Sequence, residues 1–458
     1  MFDTEERELN KLNQTMKDVL KPDNIDEYVK KGLALGIKKK RKSQIKKFSN
    51  IAAALILVIF ISSIRAIPTF AEFVTRIPGL EYIVKFINYD KGLKSAIENN
   101  FIQHINSYVT HEGLTVTIKD AIIDSSKGII FYSIENKGSH HFVNLENMKF
   151  MDEKGEQLKA GVSWGGAINK DMALEKMLDG MVEINFTDDM IIPDKIFVEV
   201  KLRDSATSNP DHRNQEEILN SVWKFEIPVD KEKIRNMEKT YALNQSILIE
   251  GQRILFKNVT ISPTRVSINV EYDKNNSKKI FRFDDLKLID EKGETWSTIK
   301  NGISGSIIDE NHEILYFQSN YFKDPKGLYL TGSSIRALDK DKSTVKVDVE
   351  NIKLLNSPKD RLSLTKISRN DSTMTLDFDL KVDDPRDKDY SYNVFSYYIK
   401  DSSGKVYESG GARCSSSIDQ VQQYSLIINK SQNIKSPLYL TLEDYPERIE
   451  GEFKLKIK

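Results

Sequence analysis

Apolar positions follow three rhythms along this chain. Before residue 48 they fall at spacings of three and four. From Phe48 to Ile64 they merge into FSNIAAALILVIFISSI, 17 residues without a charge. Beyond residue 113 they alternate in short runs broken by Gly, Pro and Asp. Helical spacing predicts amphipathic helices, an unbroken run predicts a membrane span, and alternation predicts half-buried strands.

The unbroken run is near the short end of what an α-helix needs to cross about 30 Å of hydrocarbon. Arg65 can snorkel to the headgroups, so a transmembrane helix is expected over 48–67. Its flanks are unequal. Residues 28–47 carry nine Lys/Arg and no Asp/Glu, whereas Ala66–Leu80 holds one Arg and one Glu. The positive-inside tendency then places residues 1–47 in the cytoplasm and the bulk of the chain outside. A cleaved signal peptide ending at Thr69-Phe70-Ala71 is the competing reading. Signal peptides have short basic starts, and here 47 residues precede the run, so an uncleaved anchor is expected.

In the inner segment Asp3 and Glu6 form a capping-box pattern ahead of Leu9, Leu12, Met16 and Leu20, which share one helical face. Lys21-Pro22 ends that helix, and Asp23 caps a second with Ile25, Tyr28 and Val29 on its apolar side. Helices this short are marginal alone in water. Either they fold against a protein partner through Leu9, Leu12, Met16 and Leu20, or they form a loose tail whose basic end meets anionic lipid.

The outer region repeats itself. Phe150-Met151-Asp152-Glu153-Lys154-Gly155-Glu156 returns as Leu288-Ile289-Asp290-Glu291-Lys292-Gly293-Glu294, and more weakly as Tyr398-Ile399-Lys400-Asp401-Ser402-Ser403-Gly404. Each is an apolar strand end entering a Gly turn, as in a β-hairpin. Gly113 and Gly251 each open an alternating strand 42 residues before the turn glycine, and Leu362-Leu364 stands similarly before Gly404. Pro193, Pro325 and Pro437 follow the turn glycines by 38, 32 and 33 residues, each ahead of an apolar strand. The expected architecture is mainly β: short cytoplasmic helices, one transmembrane helix, then three consecutive Ig-like β-sandwiches over 106–230, 240–352 and 353–458. Between span and first sandwich, residues 68–105 read as a helical stalk. Leu80, Ile83, Val84 and Ile87 form one apolar face, and Leu93, Ala96 and Ile97 another. The stalk either lies on the outer leaflet or packs beneath the first sandwich.

Composition adds little. The chain of 458 residues balances 68 basic against 68 acidic side chains, but residues 1–47 are net +5 and the remainder net −5. The basic run is explained by the adjoining membrane, so direct nucleic-acid binding is not expected. The one cysteine, Cys414, excludes an intrachain disulfide, so the outer cores must hold themselves together.

Candidate chemistry is sparse. Gly161-Val162-Ser163-Trp164-Gly165 matches the G-x-S-x-G elbow, but the repeat aligns Ser163 with Asn301 and Ala412, and a β-context does not suit that motif. His104, His111, His140, His141, His212 and His312 lack metal-ligand spacing. Asp383, Asp384, Asp387 and Asp389 crowd one loop without the EF-hand Gly and Glu, which favours a solvated acidic loop over a Ca²⁺ site. No enzyme activity, cofactor or metal is expected.

A set of local segments resembles one family. These are the basic run from Lys30-Lys31-Gly32 to Lys42, Ile67-Pro68-Thr69-Phe70-Ala71, Arg76-Ile77-Pro78-Gly79-Leu80, Asp90-Lys91-Gly92-Leu93-Lys94-Ser95-Ala96-Ile97-Glu98-Asn99, and Gly113-Leu114-Thr115-Val116-Thr117-Ile118. Over roughly residues 20–140 the chain resembles domain-of-unknown-function family 4179 of Gram-positive bacteria. Its members are single-pass membrane proteins, many described as negative effectors, or anti-sigma factors, of extracytoplasmic-function sigma factors. The second repeat resembles an Ig-like domain often found after it. The resemblance implies a cell-membrane regulator whose inner helices hold such a sigma factor while outer β-domains sense an unknown extracellular ligand. A surface or cell-wall binding module without a signalling role is the alternative. Residues 1–47 hold no His or Cys, so a zinc-binding anti-sigma signature is absent.

Overall fold

The computed structural model describes residues 6–11, 80–87, 89–166, 171–172, 174–187, 190–205, 216–297, 304–388, 390–415, 419–429 and 434–458. The chain divides into two compact parts, Met1–Pro78 and Gly79–Lys458. In the first part residues 6–11 are helical and exposed. Among the described residues no helix is long and apolar enough to cross a membrane. The span expected over 48–67 lies outside them.

The second part opens with a 3₁₀ turn (Glu81–Ile83), α1 (Val84–Ile87) and α2 (Lys91–Glu98). The first β-unit follows: β1 (Gln103–His111), β2 (Leu114–Ile123), β3 (Lys127–Asn136), β4 (Asn144–Met151), β5 (Ala160–Gly166), β6 (Met177–Phe186), β7 (Lys195–Ser205), β8 (Glu216–Ile218) and β9 (Trp223–Pro228). One sheet runs β1-β2-β3-β6-β5, and the other sets β4, β8 and β9 on β7. Alternation fills the space between them with Val116, Ile118, Ile184, Val198, Leu202 and Trp223, all fully buried. After β9, Asp230 caps the short helix α3 (Lys231–Ile234).

The second unit repeats the plan: β10 (Lys239–Ile249), β11 (Gln252–Ile261), β12 (Arg265–Tyr272), β13 (Lys278–Phe283), β14 (Lys287–Asp290), β15 (Thr295–Ser297), β16 (Gly305–Asp309), β17 (His312–Gln318) and β18 (Leu328–Asp339). Its sheets run β10-β11-β12-β17-β16 and β13-β18-β14-β15. Gly113 and Gly251 do not open strands. With Glu112 and Glu250 they form two-residue hairpin turns in which all four residues have positive φ, from 44° to 78°. Such a mirror-image turn follows the twist of the flanking strands, and glycine carries the larger angle in each.

The third unit comprises β19 (Thr344–Asp348), β20 (Lys353–Leu354), β21 (Leu362–Arg369), β22 (Thr373–Lys381), β23 (Phe395–Asp401), β24 (Val406–Cys414), β25 (Val421–Asn429) and β26 (Leu438–Leu442). They form one continuous sheet, β20-β19-β26-β23-β24-β25-β22-β21, around a separate core. It does not extend to the C-terminus, as the span 353–458 assumed. The last strand, β27 (Arg448–Lys456), pairs antiparallel with β18, from Tyr329↔Lys456 to Arg336↔Arg448. Ile449, Leu455 and Ile457 join the second core. In the first unit the corresponding place beside β7 is filled by β9. The third unit is thus inserted between two strands of the second, and the sandwiches are not strictly consecutive.

The repeated turn has one construction. In each copy an aspartate side chain accepts two backbone N–H groups: Asp152 from Lys154 and Glu156, Asp290 from Lys292 and Glu294, Asp401 from Ser403 and Lys405. Three residues on, Gly155, Gly293 and Gly404 have φ of 81°, 84° and 82°. The two repeated sequence signals also meet. Glu153 accepts from the Lys195 backbone and Glu291 from that of Gly327, pinning each hairpin turn to the segment after its proline.

Candidate functional site

The helices after residue 80 form a bracket held by two β-units. Leu80, Ile83 and Ile87 are buried, as are Leu93, Ala96 and Ile97. These are six of the seven apolar positions expected in the stalk, and they pack against protein. Asp90 starts α2 by accepting the Leu93 N–H at 3.0 Å. Burial raises its pKa, and the charge of Lys127 opposes that rise.

On the first unit, the Tyr82 hydroxyl donates to Asp120, whose other oxygen lies 2.5 Å from His104 Nδ1. Lys119 sits 4.2 Å over the Tyr82 ring. Lys85 and Lys119 both reach Asp179, at 2.9 and 3.0 Å. Burial pushes the Asp179 carboxyl up, but the two lysine hydrogen bonds outweigh it and hold the group below its ordinary value. Phe131 meets Tyr82 edge-on at 6.1 Å and Phe86 at 6.4 Å.

On the second unit, Gln318 Nε2 donates to the Tyr89 carbonyl at 2.7 Å. Lys91 donates to the Thr295 carbonyl at 3.1 Å. Gly92 lies so close to Ser319 that a Cβ would stand 2.4 Å from the Ser319 nitrogen. That contact requires glycine for space, not for φ.

Beneath the bracket the two units meet through buried polar groups. Asp124 accepts from the Thr264 N–H and hydroxyl at 2.8 and 2.7 Å. Arg265 donates to Asn185 at 2.6 Å and stacks 3.8 Å from the Tyr316 ring. Asn185 donates to Glu183, which pairs with Lys127 at 3.3 Å. Asp124, Lys127, Glu183 and Arg265 are each no more than 2% exposed. A buried ionic seam adds little net stability over an apolar one, yet losing one partner is costly. None of these residues was singled out from sequence. The signal lay in Lys127 and Arg265, each a charge at the first position of its strand and following Asp124-Ser125-Ser126 and Ser262-Pro263-Thr264.

Of the sequence-derived partner face, the structure describes one residue. Leu9 is 68% exposed on the segment 6–11, and Leu12, Met16 and Leu20 lie outside the described residues. Gly161–Gly165 lie inside the antiparallel strand β5, not on a strand–turn–helix elbow. The described histidines are dispersed: His140 contacts Asp204 at 2.6 Å, His312 contacts Asp309, His141 contacts Asp171, and His111 meets the Trp223 ring edge-on. His212 and Asp389 lie outside the described residues. Asp383, Asp384 and Asp387 are engaged by Arg361, Arg386 and Arg448 and are not a free acidic loop. Among the described residues no group of three or more His, Cys, Asp or Glu could hold a metal ion. Cys414 is exposed on β24, and partial burial of its thiol raises its pKa.

Residues 40–136 match the family model described as Domain of unknown function (DUF4179), the family that the sequence resembles. The described part of that match covers the bracket and β1 to β3. Residues 238–356 match a second model, Family of unknown function (DUF5643), which covers β10 to β20. No curated protein matches. Among solved structures, one titled "The crystal structure of the conserved domain protein from Bacillus anthracis" is 20% identical with a TM-score of 0.38, covering 56% of this chain and 84% of that one. A marsupial T cell receptor is 10% identical with a TM-score of 0.14, covering 77% of this chain and 99% of that one.

Proposed function

We propose that this chain is a membrane-anchored regulator resembling an anti-sigma factor. The span over 48–67 crosses the cell membrane once, with residues 1–47 in the cytoplasm and the β-units outside. The inner helices hold an extracytoplasmic-function sigma factor through Leu9, Leu12, Met16 and Leu20. The outer units respond to an envelope signal, and the bracket passes that response to the adjoining chain.

The observation that supports this reading is the double attachment of the bracket. Chain leaving a span and entering a passive surface module needs only a flexible linker. Here the helices after residue 80 are fixed to both neighbouring β-units, through Asp120 and Asp179 on one and Tyr89, Lys91 and Gly92 on the other. A change in the angle between the units must therefore strain or free them.

A fragment of residues 1–47 should bind an extracytoplasmic-function sigma factor from the same genome. Burying a leucine contributes about 1.5–3 kcal/mol, so Leu12→Asp should weaken binding by at least roughly tenfold. In cells, deleting residues 1–27 should raise output from that factor's promoter. Unchanged output on deletion contradicts the anti-sigma role and leaves the surface-module alternative.

A further inference from the structure

The second and third units flank a cleft of about 430 Å³ between the turn after β13, the middle of β18 and the side chains of Arg386, Asp387 and Tyr390. A second hollow of about 340 Å³ adjoins it through Arg386 and Arg448. Clefts of this size between domains, with converging polar groups, are where small ligands bind.

Most charges in the cleft satisfy one another. Arg336 is held by Asp284 at 2.7 Å and Asp444 at 2.8 Å. Arg448 joins Asp284 at 2.5 Å and Asp387 at 2.9 Å. Arg386 spans Asp384 at 2.6 Å and Glu450 at 2.9 Å. These pairs build rigid walls and leave no charge for a ligand.

Two groups differ. Arg282 is exposed at the cleft and donates to the Tyr390 hydroxyl at 2.7 Å, its guanidinium 5.3 Å from that ring. Among the described residues no carboxylate forms an ion pair with it, and Glu313 and Asp444 feel its charge only at longer range. Asp285 lines the same cleft. It accepts from the Ser333 N–H at 2.8 Å, the Ser333 hydroxyl at 2.6 Å and the Ser334 N–H at 3.1 Å, and among the described residues no cation pairs with it. Burial pushes its pKa up, but these hydrogen bonds outweigh burial and keep it ionised at neutral pH.

The cleft thus presents one uncommitted cation and one uncommitted anion, each oriented by neutral donors or acceptors. They stand three residues apart, which at about 3.3 Å per residue separates their Cα atoms by up to roughly 10 Å. We propose that this cleft binds a small zwitterion carrying an α-ammonium and a terminal carboxylate, a free amino acid or a short peptide. The carboxylate sits on the planar fork of Arg282, and the ammonium on the outer lone pairs of Asp285. The inference rests on the cleft itself and stands whether or not the regulatory role holds.

The full chain in detergent micelles is titrated calorimetrically with glycine, diglycine and triglycine. At least one should bind saturably, and the preferred length assigns the source: glycine indicates a free amino acid, triglycine a peptide. Capping the preferred ligand by N-acetylation or C-amidation should weaken binding at least roughly tenfold. Arg282→Gln should abolish the discrimination against the amide, and Asp285→Asn that against the acetylated form. No saturation by roughly 10 mM, or capped ligands binding as well as the free ones, overturns the proposal. The capped-ligand comparison uses the unaltered chain, so it decides the matter even if a variant misfolds.

Discussion

The side-chain amide of Gln318 donates to the backbone carbonyl of Tyr89 at 2.7 Å, across 229 positions of sequence. Gln318 ends β17 and Tyr89 lies in the turn between α1 and α2. This bond and the Gly92–Ser319 contact fasten the family-matched N-terminal helices to the second β-unit, beyond the first unit that directly follows them.

The seam beneath the bracket should behave as a coupled pair. Lys127→Met leaves Glu183 buried without its cation, which should cost about 3–5 kcal/mol. Adding Glu183→Gln should recover much of that loss, because the neutral amide can still accept from Asn185. Denaturant titration of the two variants measures the difference. Equal stability of single and double variants would mean that the pair is not coupled.

The C-terminal strand gives a second test. Removing residues 448–458 strips β27 from β18 and takes Ile449, Leu455 and Ile457 from the second core. The second unit should then lose protection from amide exchange along β18 and around the buried Trp296, while β2 and β3 of the first unit keep theirs. The milder Leu455→Ala should cost about 2–5 kcal/mol. Full protection of β18 after truncation would contradict the insertion of the third unit into the second.

Much of this architecture was legible in the sequence, for a local reason. The Asp152, Asp290 and Asp401 turns are built from backbone N–H groups within four residues of each aspartate, so their signature survives as short repeated strings. The apolar stalk positions are legible because helical periodicity is local too. The pairing of β27 with β18 is not, since nothing in GEFKLKIK distinguishes a strand of the third unit from one returning to the second. The bracket's polar attachments were missed similarly. Asp120, Asp179 and Gln318 are ordinary strand residues until the fold brings Tyr82, Lys85 and Tyr89 to them.

Acid should weaken the fold in a defined window. Asp339, hydrogen-bonded by Lys278 and Lys342, is held down to about 2, and so is Asp384 by Arg386. Both are depressed from an ordinary value of 3.8, so their contribution is complete above that value and is lost as pH falls through about 2. Thermal unfolding of the full chain should show a falling midpoint between those limits, and Asp339→Asn should flatten part of the fall. A midpoint that stays level over that range would contradict the assignment.

In the proposed mechanism the bracket couples the β-units to the inner segment, and one substitution tests that coupling without touching either end. Gly92→Val drives a side chain into the Ser319 backbone, where even a Cβ would stand at 2.4 Å, and should lift α2 from the second unit. The measurement is the promoter output of the sigma factor proposed as partner, in cells carrying the full-length variant at wild-type abundance. Coupling between sites is typically worth 1–3 kcal/mol, so output should rise by at least about fivefold. Output equal to wild type, with amide exchange showing α2 released, would contradict the account.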